Sequence, residues 1–321
     1  MPKHWNPEAL KPVSRNALKV ELEGYASGIR VEIPFHVLVG AKSGPRILLI
    51  AGVHGDEYEG VAALHDVAGE LDPQTLTGSV VIVPVANPQA FHAGTRRNPV
   101  DFSDLNRAFP GDPSGTITQR LASVLFEEFV LGSRAFLSLH GWSKEASVIP
   151  YAEYPLGEGQ VVEKSKAAAL HLGMEYLHPY VWPAGVLGDA AIRHGIAAVE
   201  TEVGGMGTIT TEGQAITRSI ILRFLEFWSV ITSGIAPPKS EGLRQKTVDH
   251  DDIFAGTAGL FRRRVEIGQS VSQGEMLGRT FGLEGRCVEE LLAPGPGVVA
   301  ILRMNSSIQP GDRLVQVFRE T

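Results

Sequence analysis

From residue 30 onward the chain alternates between two hydrophobic rhythms. The stretches IRVEIPFHVLVG, RILLIAGV and SVVIVPVAN are short, rich in β-branched residues and bounded by Gly or Pro, a pattern that predicts strands. YEGVAALHDVAGEL, between the last two, places its apolar residues at helical spacing. ITQRLASVLFEEFVLG reads as an amphipathic helix and RAFLSLHG as a buried strand. VVEKSKAAALHLG and LGDAAIRHG then read as helices, IAAVETEVGG as a strand, and TEGQAITRSIILRFLEFWSV as a long helix opening on a Thr/Glu start signal. Strands alternating with helices of about a dozen residues predict an α/β fold whose mostly parallel, mixed sheet is flanked by helices. In such sheets ligands bind beyond the carboxyl ends of the strands, and three of these strands end at His54, His140 and Glu202.

The rhythm breaks at SGIAPPKSEGL, residues 233 to 243, which has Gly, Pro and Ser but no periodicity. This predicts an α/β unit over residues 1–235 and a small all-β barrel or sandwich over 236–321. The second unit carries a weak internal repeat, in which VSQGEML aligns with IQPGDRL. Through VEELLAPGPGVV and IQPGDRLVQV it resembles the biotinyl/lipoyl-like barrels. The resemblance places the modified lysine near Arg286, and an arginine cannot carry biotin or lipoate, so only the fold is implied. Its expected role is to cap or shape the main site, or to mediate a homo-oligomer.

Composition narrows the classes. The 321 residues are 43% hydrophobic and 20% charged with a net charge of −7, and no like-charge run exceeds Arg262-Arg263-Arg264, so no nucleic-acid partner is expected. The single cysteine, Cys287, excludes an intrachain disulfide and a cysteine-based zinc knuckle. No apolar stretch approaches the ~20 residues that span a bilayer, and the N-terminus lacks a signal-like apolar core. A cytoplasmic protein without a membrane partner is expected.

The candidate chemistry begins in AGVHGDEYEG, residues 51–60. His54 and Glu57 stand three apart, a spacing that meets on one helical face or in the turn entering a helix. Zinc takes a His nitrogen and a Glu oxygen at about 2.0–2.2 Å, and catalytic sites add a third protein ligand and a water. His140, ending a buried strand beside Gly141, is the best-placed third ligand. The segment 87–111 is long, polar and irregular, and its Arg96, Arg97, Asn106 and Arg107 suit an anionic substrate group. Within it Phe91, Phe102, Leu105 and Phe109 argue against disorder. In AAVETEVGG, Glu200 and Glu202 share one face of a strand. Buried charge there is costly, so one of them belongs in the site; Glu202, nearer the strand's end, is preferred, with Glu200 the alternative. Asp56 and Glu59 read as supporting or solvated first-turn acids, Glu59 more simply as solvated. Asp104 is expected to position the arginine loop, and His65, His92, His178 and His194 show no partner pattern.

HGDE, NPQA followed by TR, DLNRAFPG, a strand ending in His, and TEVGG, in that order over roughly residues 40–230, resemble the zinc carboxypeptidase superfamily. Within it the chain is most similar to the succinylglutamate desuccinylase/aspartoacylase branch. The resemblance implies one zinc ion on His54, Glu57 and His140, and Glu202 as general base. It implies Asn106 and Arg107 on the substrate carboxylate, and an arginine after Thr95 polarising the scissile carbonyl. Arg96 and Arg97 are both candidates for that role; Arg96, immediately after Thr95, is preferred, and Arg97 is otherwise placed in substrate binding. The activity implied is hydrolysis of a small N-acyl amino acid. The alternatives are a metallocarboxypeptidase or cell-wall peptide amidase of the same superfamily, and a binding protein that keeps the fold without the chemistry.

Overall fold

The computed structural model describes residues 5–6, 9–23, 30–232 and 244–321, so the expected boundary segment SGIAPPKSEGL lies outside the described residues. The strands of the first unit are β1 (Ser14–Glu23), β2 (Arg30–Val39), β3 (Lys42–Ala51), β4 (Thr77–Val83), β5 (Ala135–His140), β6 (Ala146–Pro155), β7 (Tyr176–Tyr180) and β8 (Ala197–Gly205). Those that follow are β9 (Lys246–Phe254), β10 (Gly259–Arg263), β11 (Ser270–Val271), β12 (Met276–Phe281), β13 (Cys287–Leu292), β14 (Gly297–Arg303), β15 (Ser307–Ile308) and β16 (Arg313–Glu320). The helices are α1 (Glu59–Glu70), α2 (Pro88–Ala93), α3 (Ile117–Leu125), α4 (Gln160–His171), α5 (Leu187–Arg193) and α6 (Thr211–Phe227).

The run RILLIA becomes the centre of β3, and its alternation explains the layering. Ile47, Leu49 and Ala51 join a core with α1, α4 and α6, while Leu48 and Ile50 join a core with α3 and α5. Each such Leu or Ile is fully shielded and contributes about 1.5–3 kcal/mol. The sheet is therefore an α/β layer covered on both faces, as expected. Its direction is mixed: β4, β3, β5 and β8 run parallel, whereas β1–β2, β2–β4 and β8–β6 are antiparallel. Strands β1, β6 and β7 were not anticipated from the hydrophobic rhythm. The helix expected over ITQRLASVLFEEFVLG begins with a Thr116/Gln119 capping box, but its α-helical part stops at Leu125 and it finishes in a wider turn over Phe126–Val130.

Beyond residue 244 the described chain is all β. β9 pairs in parallel with β7, and β16, β14 and β11 extend the same sheet, while β13, β12, β10 and β15 form a second one. The internal repeat is physical: β10–β11–β12 and β14–β15–β16 follow the same long–short–long order. In the aligned turns Gly274 and Gly311 both take positive φ, and Val271 with Leu277, like Ile308 with Leu314, is buried in one shared core. Arg286 sits exposed in the β12–β13 turn. A pairing of β14 with β6, Arg303 opposite Ala146, fastens this β unit to the α/β sheet next to the strand-end site. Among the described residues no helix is long and apolar enough to cross a membrane.

Candidate metal centre and active site

His54 and Glu57 lie in the turn between β3 and α1, so the H-x-x-E spacing is that of a tight loop rather than of a helix face. The loop is held close to the segment that follows β4. The Gly55 N–H donates to the Thr95 carbonyl at 3.0 Å, and a methyl group on Gly55 would stand 1.9 Å from the Ala90 carbonyl carbon. Only glycine fits there, and this close approach brings the arginine-bearing segment against the strand end.

His54, Glu57 and His140 converge: their ligand atoms all lie within 4.8 Å of one another and the three side chains are buried. The Glu57 carboxylate faces both imidazoles, with Oε1 at 2.7 Å from His54 Nδ1 and Oε2 at 3.0 Å from His140 Nδ1. The Gly141 N–H also donates to Oε2 at 3.3 Å. Behind the centre each imidazole has a second partner on its far nitrogen. His54 Nε2 lies 3.2 Å from Asp104 Oδ1, and His140 Nε2 lies 3.0 Å from Ser138 Oγ. Imidazoles held from behind by a carboxylate or hydroxyl, their other nitrogens aimed at a shared carboxylate, are the arrangement a divalent cation uses, and the N, N, O donor set fits zinc.

The electrostatics agree with a cation site. Burial by itself would lower the His140 pKa, but the hydrogen bond and charge of Glu57 outweigh it and raise the group to about 10. Burial opposes ionisation of Glu57 as well, yet the two imidazoles hold its carboxyl well below the usual range. Two imidazoles thus share one carboxylate, and His140 holds its proton where a metal would replace it. Burial would raise Asp104, but its bond to His54 and the charges of His54 and Arg96 keep it ionised.

Arg96 reaches this centre and Arg97 does not. The Arg96 guanidinium bonds Asp104 Oδ2 through Nε at 3.1 Å and lies 3.8 Å from Glu57 Oε1. Arg97 is exposed and lines a separate depression with Asp56, Thr95 and Lys144. Asn106 is buried in a single turn, Leu105–Arg107, capped by Asp104; its carboxamide oxygen accepts from the Leu187 N–H at 2.9 Å, and the residue lines the cleft beside His54 and His140. Exposed Arg107 borders the same cleft. The 87–111 segment is not wholly irregular: it begins with α2, capped by Asn87. Leu105 and Phe109 pin it into the core, whereas Phe91 and Phe102 stand exposed and do not.

On β8, Glu202 stands opposite His140 and Glu200 opposite Ser138, so both carboxyls share the face that carries the ligands. Each has one shielded oxygen, Glu202 Oε2 and Glu200 Oε1, with no hydrogen-bond partner among the described residues. Burial, with Glu57 adding, pushes the Glu202 carboxyl well above its ordinary value against the pull of His140. Burial also raises Glu200, with His140 opposing and Glu153 adding. The cleft over these groups has a volume of about 140 Å³. Its far wall is formed by Glu153, His178, Trp182, His250, Arg313 and Gln316, the last three from β9 and β16.

Three expectations need correction. His178, read as having no partner, is buried in this wall, 3.0 Å from Glu153 and 3.0 Å from His250. Glu59 is not solvated: it is 2% exposed and accepts from the N–H and hydroxyl of Thr210 at the start of α6. Asp104 does more than shape the loop, because it bonds both His54 and Arg96. Asp56 is buried and accepts weakly from the Lys144 N–H, touching neither His54 nor His140 through a hydrogen bond. The far wall left little trace in the sequence; the one available signal was the unexplained Glu153 in YAEYP.

Comparison with known proteins agrees with this geometry. Residues 43–228 match the family model "Succinylglutamate desuccinylase/Aspartoacylase catalytic domain". The chain is 33% identical over 293 residues to an N-alpha-acetyl-L-2,4-diaminobutyric acid deacetylase of Halomonas elongata, covering 89% of this chain and 85% of the relative. Among solved structures it is similar to the product-bound ectoine utilization protein EutE (DoeB) of Ruegeria pomeroyi, with TM-score 0.89, 27% identity and coverage of 96% and 97%. It is also similar to a succinylglutamate desuccinylase/aspartoacylase of Rhodobacter sphaeroides, with TM-score 0.88, 29% identity and coverage of 96% and 95%. The chain therefore belongs to the succinylglutamate desuccinylase/aspartoacylase family of amide-hydrolysing deacylases.

Proposed function

We propose that the protein is a zinc-dependent deacylase that hydrolyses the amide bond of a small N-acyl amino acid in the cytoplasm. The convergence of His54, Glu57 and His140 in a cleft shared with Arg96, Arg107 and Glu202 carries this reading. His54, Glu57 and His140 would hold the ion, which would supply Lewis acidity toward the water and the carbonyl at neutral pH. Glu202 accepts the proton of the attacking water on its unpartnered Oε2 and returns it to the departing amine nitrogen. Arg96, kept in place by Asp104, polarises the scissile carbonyl and stabilises the charge that develops on its oxygen. Asn106 and Arg107, with Arg97 as an outlying contributor, bind the substrate carboxylate. We assign residues 1–235 as the catalytic unit and 236–321 as a barrel-like β unit that caps the cleft. The small volume of the cleft, lined on one side by His250, Arg313 and Gln316, supports a compact substrate over a peptide.

The deciding experiment is an assay of zinc-loaded protein on a panel of N-acyl amino acids and short peptides, with metal content measured beside it. Near-stoichiometric zinc and release of free amino acids, both lost in His140→Ala, is the expected result. Well-folded wild-type protein that binds no zinc, or that cleaves only peptides, would overturn the reading.

A further inference from the structure

The far wall of the cleft, where the α/β unit meets the C-terminal β unit, carries a second cluster of metal-type ligands. The backbone pairing of β7 with β9 runs through Tyr176 opposite Lys246 and Leu177 opposite Thr247. Just beyond it side chains make the join, with His178 Nε2 at 3.0 Å from His250 Nδ1. Asp249 completes the group, and one ligand atom from each of the three residues lies within 4.8 Å of the others. Asp249 Oδ1 stands 3.9 Å from His250 Nδ1 and accepts the His250 N–H at 2.8 Å, so this carboxylate is folded back toward the imidazoles.

Each imidazole has an acid behind it. His178 Nδ1 is 3.0 Å from Glu153 Oε1, which belongs to a carboxylate that also accepts from Trp182 Nε1, and His250 Nε2 is 3.9 Å from Asp252 Oδ2. His54 and His140 are held in the same way, by Asp104 and Ser138 on their far nitrogens. Such partners fix the orientation of a ligating ring and raise its basicity toward a metal. The His178 ring is fixed further by stacking on Tyr180, with centroids 5.1 Å apart. Two imidazole nitrogens on one tetrahedral zinc stand about 3.3 Å apart, against the 3.0 Å seen between His178 and His250, so the rings need only a small separation to admit an ion. Of the three carboxylates around the group, Asp252 is paired with Arg313 at 2.9 Å and Asp249 with Arg319 at 3.4 Å. The Glu153 charge is left to offset part of a dication.

We propose that His178, His250 and Asp249 form a second metal site, for zinc or a similar divalent transition-metal ion, which clamps β9 of the C-terminal unit onto β7 of the α/β unit. Imidazole ligands suit such ions, whereas magnesium and calcium take oxygen. The site shares no ligand with His54, Glu57 and His140 and does not rest on the deacylase reading. His250 is half-buried and Asp249 exposed, while the ligands of the first centre are all buried. The second ion is therefore held more weakly and joins a protein that already carries the first. Because His250 lines the cleft beside Arg313 and Gln316, the clamp fixes the wall that the C-terminal unit contributes.

The test counts metal rather than turnover: full-length protein is dialysed to equilibrium against excess buffered zinc and analysed for bound ion. Wild-type protein should take up two ions per chain, His140→Ala and His250→Ala one each, and the double variant none. In His140→Ala, where the second site is isolated, added zinc should raise Tm, and in the double variant it should not. Should His250→Ala not fold, Asp249→Asn alters an exposed side chain and keeps the test open. Filling the second site should then need at least the roughly tenfold more free zinc that even a partner behind a ligand is worth. Wild-type uptake that stops at one ion and is lost in His140→Ala overturns the proposal, and so does a second ion that survives both His250→Ala and Asp249→Asn; the three side chains would then be a hydrogen-bonded joint and no more. Uptake that ignores His140→Ala but falls in His250→Ala upholds this site and overturns the metal centre of the deacylase reading instead. Protein that takes up no zinc overturns both.

Discussion

The two walls of the cleft are built on opposite plans. On the ligand side, His54, Glu57, His140, Asp104 and Arg96 satisfy one another through hydrogen bonds and ion pairs. Every one of them comes from the end of a central strand or the segment locked against it. On the floor and far side, antiparallel β6, together with β9 and β16 of the C-terminal unit, brings in Glu153, His250 and Arg313, and carboxyl oxygens of Glu200 and Glu202 go unpartnered. A closed network fixes geometry and is indifferent to what approaches it. Unpartnered buried acceptors cost free energy until a proton or a ligand arrives, so one wall is satisfied within itself and the other keeps open acceptors.

The sharpest way to break this comparison is to disable the acceptor that works on the ligand side's behalf. Glu202→Gln should lower kcat by about 10²- to 10⁴-fold while bound zinc, measured by elemental analysis, stays near one per chain. Unchanged turnover would move the base to Glu200. A smaller loss is expected from Asp104→Asn, which weakens the hold on His54 Nε2 and on Arg96 together. Carboxylates behind a ligating imidazole are worth about 10- to 100-fold in metal affinity or activity, and competition with a chromophoric chelator would measure it.

The closed network also makes a pH prediction. In the metal-free protein the His140 pKa is raised from 6.5 to about 10, burial opposing and Glu57 outweighing it. A raised folded-state pKa contributes stability that is fully present below 6.5 and disappears as pH rises through about 10. The metal-free protein should lose thermal stability across that window. Zinc must displace the same proton, so its apparent affinity should climb by about tenfold per pH unit in that range. An affinity flat in pH would mean that His140 is already neutral before the metal binds.

How much of this was legible in the sequence follows the same division. His54 and Glu57 are three residues apart and announce themselves; Asn106 and Arg107 stand in one motif; and the strand ends of RILLIAGV and RAFLSLHG point to a shared edge. The repeat after residue 255 was visible because each half runs through the same long–short–long strand order. What stayed hidden depends on pairings between distant segments. Asp104 is 50 residues from His54, and the Glu200–Glu153 opposition exists only because β6 turns back antiparallel to β8. His178 looked idle because its partners, Glu153 and His250, lie on strands on either side of β7. A hydrophobic rhythm specifies which face a residue takes, but not which neighbour stands beside it.

Glu59 provides the smallest and most local test of whether the ligand wall is fixed from behind. It opens α1, two residues after Glu57, and its Oε1 accepts from both the N–H and the hydroxyl of Thr210, whose own Oγ accepts from the Gly213 N–H. One carboxylate thereby joins the helix that follows the ligand loop to the start of α6. Hydrogen bonds to charged groups are worth about 1.5–3 kcal/mol, so Glu59→Ala should lower unfolding free energy by about that amount in urea denaturation. Glu59→Gln keeps an acceptor of the same reach and should lose less. If the ligand wall owes its geometry to this joint, Glu59→Ala will also weaken zinc affinity, though by less than Asp104→Asn. If stability falls while zinc affinity holds, the hydrogen bonds around Asp104, Ser138 and Gly141 suffice to keep His54, Glu57 and His140 in register.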